Sequence, residues 1–258
     1  MNDQLASSVR PIFIIGVQKC MTTFCHNILA DSVHVSALKR KELHYYDGYP
    51  NYSYCLPFEE LFEVCDKTKY VLDSTPSYSV VPGALERIHH NHPNAIIVIC
   101  TRDKLKRTIS QYNHERRNGF IGNEDILSVI EKDRNRYDIR ESYWDHVLGN
   151  YDLKNDYTAL LTRCNLMFLS VIHLNFDYGI DVQVSKLSDA LGITLRIPFG
   201  IEKNESVLPR FNVLARLGAR FERLGWHKGF VLIKLLNRGR ARPTKISDID
   251  ALTLSNLI

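Results

Sequence analysis

Residues 12–23 have the sequence IFIIGVQKCMTT, in which an apolar run leads through a glycine into a loop with one lysine and two threonines. The short run rich in Ile and Phe over residues 11–16 predicts a buried β-strand. Residues 22–30 have the composition and length of a helix. Lys19 therefore lies in a strand-to-helix loop, and the arrangement of the strands around it decides its role.

Strand and helix signals alternate along the rest of the chain. Three further strands are predicted, at residues 70–73, 94–102 and 166–172. Helices are predicted at residues 57–65, 82–91, 103–117 and 184–192, and a mostly helical stretch covers 122–162. This alternation predicts an α/β fold with a central parallel sheet flanked by helices. The sequence contains no internal repeat or linker, so one domain over residues 1–258 is expected.

Composition narrows the class of protein. No stretch of the 258 residues approaches the roughly 18 uncharged apolar residues of a membrane span, and residues 1–11 lack the apolar core of a signal peptide. A soluble cytoplasmic protein is therefore expected. The six cysteines have no CxxC pair or regular spacing, which favours reduced thiols over a disulfide framework or a zinc site.

Lys19 has two interpretations. In open parallel α/β sheets, ligands bind beyond the carboxyl ends of the strands, where a loop entering a helix offers backbone N–H groups to an anion. Lys19 would add a mobile positive charge there, and Thr22 and Thr23 would add hydroxyl donors. The alternative is an ordinary turn with a surface lysine. An ATP-binding loop would have the pattern GxxxxGK[ST], whereas Lys19 lies three residues before Thr22 and no second glycine is present.

Four blocks of the sequence resemble one family, in the order in which that family has them. PIFIIGVQKCMTT at 11–23 is similar to the 5′-phosphosulfate loop of sulfotransferases, whose usual form is close to FIIGxxKsGTT. KRKELHYYD at 39–47 resembles the KExHFFD segment of heparan sulfate and bacterial carbohydrate sulfotransferases. LDSTPSYSVVPGALERIHHNHP at 72–93 matches the TPxY segment, and IIVICTRDKLKRTISQYNHERRNG at 96–119 resembles the 3′-phosphate block, a strand followed by RDPxxRAxSxY.

The resemblance implies a sulfotransferase that uses 3′-phosphoadenosine 5′-phosphosulfate (PAPS) as donor and releases 3′,5′-bisphosphoadenosine (PAP), without a metal. It implies a P-loop-like nucleotide-binding fold with a donor-binding core at about 10–120. The acceptor region is then the helical part at about 121–258. The implied reaction moves a sulfuryl group to a hydroxyl or amine of a carbohydrate, glycolipid or other glycoconjugate, and no nucleic-acid partner is expected.

The resemblance also assigns the donor-binding residues. The phosphosulfate would be held by the loop and helix start, namely Gln18, Lys19, Cys20, Met21, Thr22 and Thr23. Lys19 would stabilise the charge that builds on the departing phosphate oxygen, and Arg102 and Ser110 would hold the 3′-phosphate. Met21 stands where the family pattern has glycine, which predicts either a looser approach to the phosphosulfate or a reshaped loop.

The KELHYYD block supplies the candidates for the acceptor side. Glu42 occupies the acidic position of the block, and a carboxylate there can act as general base on the acceptor hydroxyl. The alternative is that Glu42 forms an ion pair with Lys41 or Lys39 on a solvated loop. His44 is a second candidate, either as the base itself or as a group that orients the acceptor. Tyr45 and Tyr46 are expected to be packing residues.

Two other function classes stay open on the sequence. One is a nucleotide-dependent kinase with a degenerate P-loop. The other is a protein that binds PAPS or PAP but has lost turnover, an interpretation that Met21 in the loop motivates. Neither class requires residues other than those of the donor loop, so binding and transfer measurements are needed to separate them from the first.

The C-terminal part is strongly basic. Between Arg196 and Lys245 twelve Lys or Arg residues stand against three Glu, an excess of nine positive charges. Over residues 208–224 apolar residues recur at three- and four-residue steps, which predicts a helix with one apolar face. That face either packs on the core or, with Trp226, Phe230 and the basic residues, docks on an anionic membrane surface or an acidic polysaccharide.

Overall fold

A computed structural model of the protein describes residues 9–136, 141–197, 209–237, 239 and 248–257. The chain folds into two units, each of which packs mainly within itself. The first unit is Met1–Arg102 with Asp156–Gly200, and the second is Asp103–Asn155 with Ile201–Ile258. Within the described residues, every helix falls short of the length and apolarity that crossing a bilayer requires.

In the first unit, the described strands form one parallel sheet. They are β1 (Arg10–Gly16), β2 (Val35–Ala37), β3 (Tyr70–Asp73), β4 (Ile96–Thr101) and β5 (Ser170–Asn175). Their order in the sheet is β2-β3-β1-β4-β5, and each neighbouring pair is parallel. The predicted α/β fold with a central parallel sheet is therefore confirmed.

The described α-helices belong to both units. In chain order they are α1 (Thr22–Ala30), α2 (Ala84–Asn91), α3 (Lys104–Arg117), α4 (Ile126–Asn135), α5 (Tyr143–Val147), α6 (Tyr151–Asn155), α7 (Tyr157–Met167), α8 (Ile180–Leu191), α9 (Asn212–Arg223), α10 (His227–Leu236) and α11 (Asp248–Leu257). The predicted helix at 22–30 has the bounds of α1. The mostly helical stretch predicted over 122–162 is confirmed as α4, α5, α6 and most of α7.

Three element predictions need correction. The strand predicted at 166–172 begins only at Ser170, because its first residues form the last turn of α7. Periodicity cannot separate such a short apolar run from a buried helical turn. The strand β2 was not predicted, since three residues are too few to show a pattern. The helix predicted at 57–65 is wrong: only the 3-10 turn Phe58–Leu61 forms, and the next residue, Phe62, is extended and buried.

The sheet of the first unit has different side chains on its two faces. The alternation of a strand sends Ile12 and Ile14 to one face, where they pack with α1 and α8 in an aliphatic core. On the other face, the ring of Phe13 contacts an aromatic group that includes Tyr46 and Tyr78. The aromatic face therefore fixes the loops that follow β2 and β3.

The second unit is organised around α3. One side of α3 packs Tyr112 against Ile130 and Leu254. The other side buries Arg107, which donates hydrogen bonds to Asn155 and to further neutral groups. Because buried polar groups need such partners, this network fixes α3 against α6.

The predicted C-terminal helix is present as α9, and residue 208 of that prediction lies outside the described residues. Its buried side faces α10 with small residues: Ile233 would lie 3.2 Å from a side-chain carbon added at Gly218. The interpretation that the apolar face packs on the core is wrong for Leu214, Leu217 and Leu224, which are exposed. Small residues allow the close helix contact, and this orientation leaves the leucines in solvent.

Candidate active site

The predicted loop, residues 16–23, lies at the edge of the sheet that the carboxyl ends of the strands form. From β1 the chain runs to β2 and β3 on one side of β1, and after β3 it crosses to β4 and β5 on the other side. In a parallel sheet all carboxyl ends share one edge, and ligands bind where the order reverses. The segments that follow β1, β2, β3 and β4 meet at this edge, and they carry Lys19, Glu42, Thr75 and Arg102.

The start of the loop depends on a glycine. Gly16 has φ +143°, and a side-chain carbon added there would lie 2.8 Å from Ser79 Oγ and 3.1 Å from the Pro76 carbonyl oxygen. The next N–H, that of Val17, donates to the Cys100 carbonyl oxygen on β4 at 2.8 Å. The loop is therefore held between β4 and the 3-10 turn Pro76–Ser79.

Left-handed backbone conformations concentrate in the predicted site. Among the described residues, the non-glycine residues with positive φ are Lys19 (72°), Met21 (63°), Glu42 (66°), His44 (57°) and Asn150 (56°). Such conformations cost on the order of 1–3 kcal/mol each and persist where the surroundings impose them, commonly at functional sites. The first four of these five residues are predicted site residues.

Met21 explains what the family glycine does. At φ 63° and ψ 20° it occupies the left-handed region that glycine enters without steric cost. Met21 therefore has a backbone conformation that a glycine would adopt readily. Whether the loop approaches the phosphosulfate less closely or is reshaped stays a prediction.

The loop enters α1 in a form suited to an anion. Met21 occupies the N-cap position and makes no side-chain hydrogen bond to the first turn. The N-terminal N–H groups and the helix dipole therefore favour a negative ligand. Thr22 is buried and Thr23 is exposed, while Gln18 and Lys19 are half-buried. The role of Lys19 beside these donors stays a prediction.

Tyr157 connects the loop to the end of β4. Its hydroxyl donates to the Arg102 carbonyl oxygen at 2.8 Å and lies 3.9 Å from the Sγ of Cys20, which is fully buried. Arg102 follows β4 in the first unit, whereas Ser110 is a half-buried residue of α3 in the second unit. The shared role of Arg102 and Ser110 at a 3′-phosphate stays a prediction.

The TPxY block supports the loop that carries the acceptor-side candidates. The N–H of Leu43 donates to Asp73 Oδ1, that of His44 to Thr75 Oγ1, and that of Tyr45 to the Tyr78 hydroxyl, at 2.9–3.3 Å. Three consecutive backbone N–H groups are thus fixed by side chains of the neighbouring segment. This support explains how Glu42 and His44 hold left-handed conformations.

Asp73 is the centre of that support. Its carboxylate is fully buried and accepts hydrogen bonds from the hydroxyls of Thr75 and Tyr78, both at 2.6 Å. Burial raises the pKa of Asp73, and these hydrogen bonds partly oppose the shift. Burial, reinforced by Asp73, raises the pKa of Tyr78 well above its ordinary value, so Tyr78 remains a donor.

His44 is oriented by a buried carboxylate. Its Nδ1 lies 2.7 Å from Asp47 Oδ2, and Ser77 donates to the same oxygen. The imidazole stacks on the ring of Tyr49 at 4.4 Å. On its other side, Nε2 lies 3.8 Å from Glu42 Oε2. This is the arrangement of a histidine that takes a proton on Nε2 while a carboxylate holds Nδ1.

Glu42 has a cationic partner. Lys41 Nζ lies 2.5 Å from Glu42 Oε1, which is one of the two ion pairs that the sequence left open. The Lys41 side chain is largely buried, whereas that of Glu42 is 43% exposed. Glu42 is therefore both an ion-pair partner and a neighbour of His44.

His26, on the helix that follows the donor loop, has an unusually low pKa. His26 is a buried residue of α1, and its Nδ1 lies 2.9 Å from Ser74 Oγ. Burial, and then the positive charge of Lys41, lower the pKa of His26 to about 4, against a smaller opposite effect of Glu42. The charge of Lys41 thus acts on His26.

Sequence reasoning missed part of this site. It gave no role to Lys41 beyond a surface ion pair and none to Asp47, Thr75 or Tyr78 individually. The TPxY match marked the last two as a block, and Asp47 three residues after His44 was a visible signal for a histidine partner. Among the described residues, no group of three or more His, Cys, Asp or Glu side chains is arranged to hold a metal ion.

Known proteins resemble this chain in sequence and in fold. The chain is 27% identical over 103 residues to the membrane-associated sulfotransferase kil1 of Dictyostelium discoideum, a match over 39% of this chain. The chain spans only 22% of that relative's length. A sulfotransferase structure from Alicyclobacillus acidocaldarius has a TM-score of 0.59 at 18% identity, over 86% of this chain and 96% of that one.

A second solved structure is more distant. Mouse sulfotransferase SULT7A1 complexed with PAP gives a TM-score of 0.42 at 15% identity, over 76% of this chain and 65% of that one, which is too low to establish a shared fold. The model of the sulfotransferase domain family, in contrast, matches residues 10–170, which run from the first residue of β1 to the first residue of β5. The chain therefore belongs to the sulfotransferase domain family.

Proposed function

We propose that this protein is a PAPS-dependent sulfotransferase that acts on a hydroxyl or amine of a carbohydrate or glycoconjugate. The observation that carries the proposal is the loop from Gly16 to Met21. It places Lys19 before the uncapped start of α1, at the edge where the strand order reverses. Family membership supports the reaction class, and the loop supports an anionic donor.

On the donor side, PAPS supplies a sulfuryl group on a phosphate that can depart. Lys19 neutralises the charge that develops on that phosphate oxygen, and the N–H groups at the start of α1 hold the remaining oxygens. The hydroxyls of Thr22 and Thr23 add donors. Lys41 supplies further positive potential from the neighbouring loop.

On the acceptor side, the geometry favours His44 as the general base. Asp47 holds Nδ1, which leaves Nε2 as the atom that receives the acceptor proton. Glu42 has Lys41 against one oxygen, so a role in orienting the acceptor or His44 suits it better. As the new bond from sulfur to the acceptor oxygen or nitrogen forms, the bond from sulfur to the phosphate oxygen breaks.

The carbohydrate acceptor is proposed on narrower grounds. The KELHYYD block resembles carbohydrate sulfotransferases, and the rings of Tyr49 and Tyr52 both stack with His44, at centroid distances of 4.4 Å and 5.8 Å. Tyr49 is buried, and the Arg40 guanidinium lies 3.5 Å from the Tyr52 ring centroid, so this stack supports the position of His44. The proposal of a carbohydrate acceptor therefore rests on the resemblance of the block.

Titration calorimetry of the wild type tests the donor. We expect PAP to bind far more tightly than AMP, because Arg102 adds a fork of N–H donors for the 3′-phosphate, and Arg102→Ala to lose most of that preference. Equal affinities of the wild type for PAP and AMP would show that the pocket is misplaced. Preferential binding of ATP with magnesium would favour a kinase instead.

Transfer itself is tested with radiolabelled sulfate. PAPS carrying the label is incubated with fractionated glycans and glycolipids, and label in a carbohydrate fraction is the expected result. Tight PAP binding with no transfer to any fraction would support a binding protein without turnover. Label only in non-carbohydrate small molecules would keep the sulfotransferase and reject the proposed acceptor.

A further inference from the structure

The hairpin formed by α9 and α10 exposes large apolar side chains on both helices. On α9 and the turn after it, Leu224 and Trp226 are 71% and 55% exposed. On α10, Leu232, Leu235 and Leu236 are 57%, 67% and 76% exposed. Single exposed leucines are ordinary on a protein surface, but an exposed apolar group of this size marks an interaction site.

The exposure follows from how the two helices pack. Ala215, Gly218 and Ala219 form the buried side of α9, and Gly218 lies against Phe230 and Ile233 of α10. The ring of Trp226 contacts the ring of Phe221 at 4.5 Å across the turn. Gly218 thus allows the close contact between the helices, Ala215 lies against Gly119, and the larger apolar residues remain outside these contacts.

The hairpin is also strongly basic. Residues 209–237 contain six Lys or Arg and one acidic residue, Glu222. Glu222 is buried and paired with His227 at 2.8 Å, so it offers little compensation at the surface. Arg216, Arg220 and Arg223 are exposed on one wall of a cavity that Glu124 and Asp133 also line, but no carboxylate of the described part of the chain forms an ion pair with them.

The arginines and the exposed leucines occupy different sides of α9. Positions 216, 220 and 223 follow one another at four- and three-residue steps, which puts the arginines in one row along the helix. Leu214, Leu217 and Leu224 form a neighbouring row about a third of a turn away. A helix with leucines on one side and arginines beside them is the pattern of a helix that lies in a membrane interface.

We propose that the α9–α10 hairpin docks this protein on the surface of an anionic lipid bilayer. The leucines and Trp226 enter the interface, and the arginines meet lipid phosphates. A soluble polyanion would need only the arginines and would leave the leucines in water, which is why the bilayer is favoured. The inference does not depend on sulfuryl transfer, since it concerns binding alone.

Co-sedimentation of the full chain with vesicles tests the proposal. We expect binding to vesicles of equimolar phosphatidylglycerol and phosphatidylcholine and much weaker binding to phosphatidylcholine alone. Binding should fall steeply as salt rises through about 0.15 M, where exposed charges are screened over about 8 Å. Absence of binding to the anionic vesicles at low salt would overturn the proposal.

Matched variants separate the two contributions. Leu232→Ser with Leu235→Ser should lower the affinity more than about tenfold. Leu166→Ser with Leu169→Ser is the control, because these leucines are 83% and 90% exposed outside the hairpin. If the control pair lost binding equally, the hairpin would not be the docking site.

The charged row has its own pair of variants. Arg216→Ser with Arg220→Ser should weaken binding by about 25-fold, from roughly fivefold per basic side chain at an anionic surface. Lys67→Ser with Lys69→Ser removes the same charge elsewhere and should change binding little. Heparin that bound the wild type and the leucine variant alike, without vesicle binding, would assign the surface to a polysaccharide and overturn the proposal.

Tryptophan fluorescence keeps the test independent of variants that fail to fold. The chain has two tryptophans, so Trp144→Phe leaves Trp226 as the reporter. We expect its emission to shift to shorter wavelength with anionic vesicles and to be quenched by brominated acyl chains. Vesicle binding with unchanged, unquenched Trp226 emission would contradict insertion of the hairpin.

Discussion

His44 Nδ1 lies 2.7 Å from Asp47 Oδ2, in a loop whose backbone is held by Asp73, Thr75 and Tyr78. Asp47 is buried, and Ser77 donates to the same oxygen. Asp47 thus fixes the imidazole and has no other role in the proposed reaction. This relationship makes the proton-transfer step testable separately from donor binding.

Asp47→Asn is expected to lower transfer by about a hundredfold or more and leave PAP affinity within about twofold, because the oriented base is lost and the donor loop is not. Transfer rates of Asp47→Asn, His44→Gln and the double variant check this. If Asp47 acts through His44, the double variant should be no slower than His44→Gln.

If the loss of transfer rate in the double variant equalled the product of the two single losses, Asp47 would not act through His44. Glu42→Gln is measured beside them, and a smaller loss than that of His44→Gln is expected. A larger loss in Glu42→Gln would make Glu42 the base. Asp66→Asn, an exposed carboxylate in the same unit, is the control.

Tyr78→Phe should lower the free energy of unfolding by about 1–3 kcal/mol, because Asp73 loses a buried donor and the Tyr45 N–H loses its acceptor. Transfer should fall as well, since the loop with His44 loses one of its anchors. Urea denaturation checks the stability. Tyr178→Phe, at an exposed position, should change neither quantity.

Met21→Gly should raise stability by up to about 1 kcal/mol, because relief of the left-handed strain exceeds the added entropy of the unfolded chain. Met21→Ala keeps a side-chain carbon and should give no such gain. Transfer should persist in Met21→Gly, since glycine readily adopts the backbone conformation that Met21 already has. A loss of stability in the glycine variant, measured by urea denaturation, would show that the Met21 side chain matters more than its backbone.

His26 should make stability depend on pH. Burial lowers its pKa from 6.5 to about 4, so the unfolded chain binds the proton first as the pH falls. Stability should therefore be complete above about pH 6.5 and decline toward pH 4, by up to about 3 kcal/mol. Urea midpoints of wild type and His26→Gln at several pH values isolate this contribution, because the other titrating groups are common to both. Parallel curves for the two proteins would exclude it.

The backbone elements around the proposed donor loop could be predicted from the sequence. Strand β1, helix α1 and the loop between them follow from one apolar run and one helical segment, both local signals. Lys19 and Met21 could be placed because the loop is short and lies at the end of a strand. The left-handed backbone of Met21 could be inferred only from the family glycine, since nothing local in methionine favours it.

The acceptor half was harder because its contacts are long-range. The hydrogen bond between Tyr78 and the Tyr45 N–H joins segments 33 residues apart, and no periodicity reports such pairing. The exposure of the α9 leucines was not predicted, for a related reason. Amphipathic spacing predicts that an apolar face exists, but whether small residues such as Gly218 take the buried side depends on the neighbouring helix.

The role of Lys19 is the central claim, and Lys19→Ala tests it most directly. The measurement is the rate of labelled sulfuryl transfer from saturating PAPS, with PAP affinity determined on the same preparations and Lys69→Ala as the surface control. Without the positive charge of Lys19 to stabilise the departing phosphate, kcat should fall at least about a hundredfold, while the protein stays folded and still binds PAP. Transfer within a few-fold of the wild type would contradict the account.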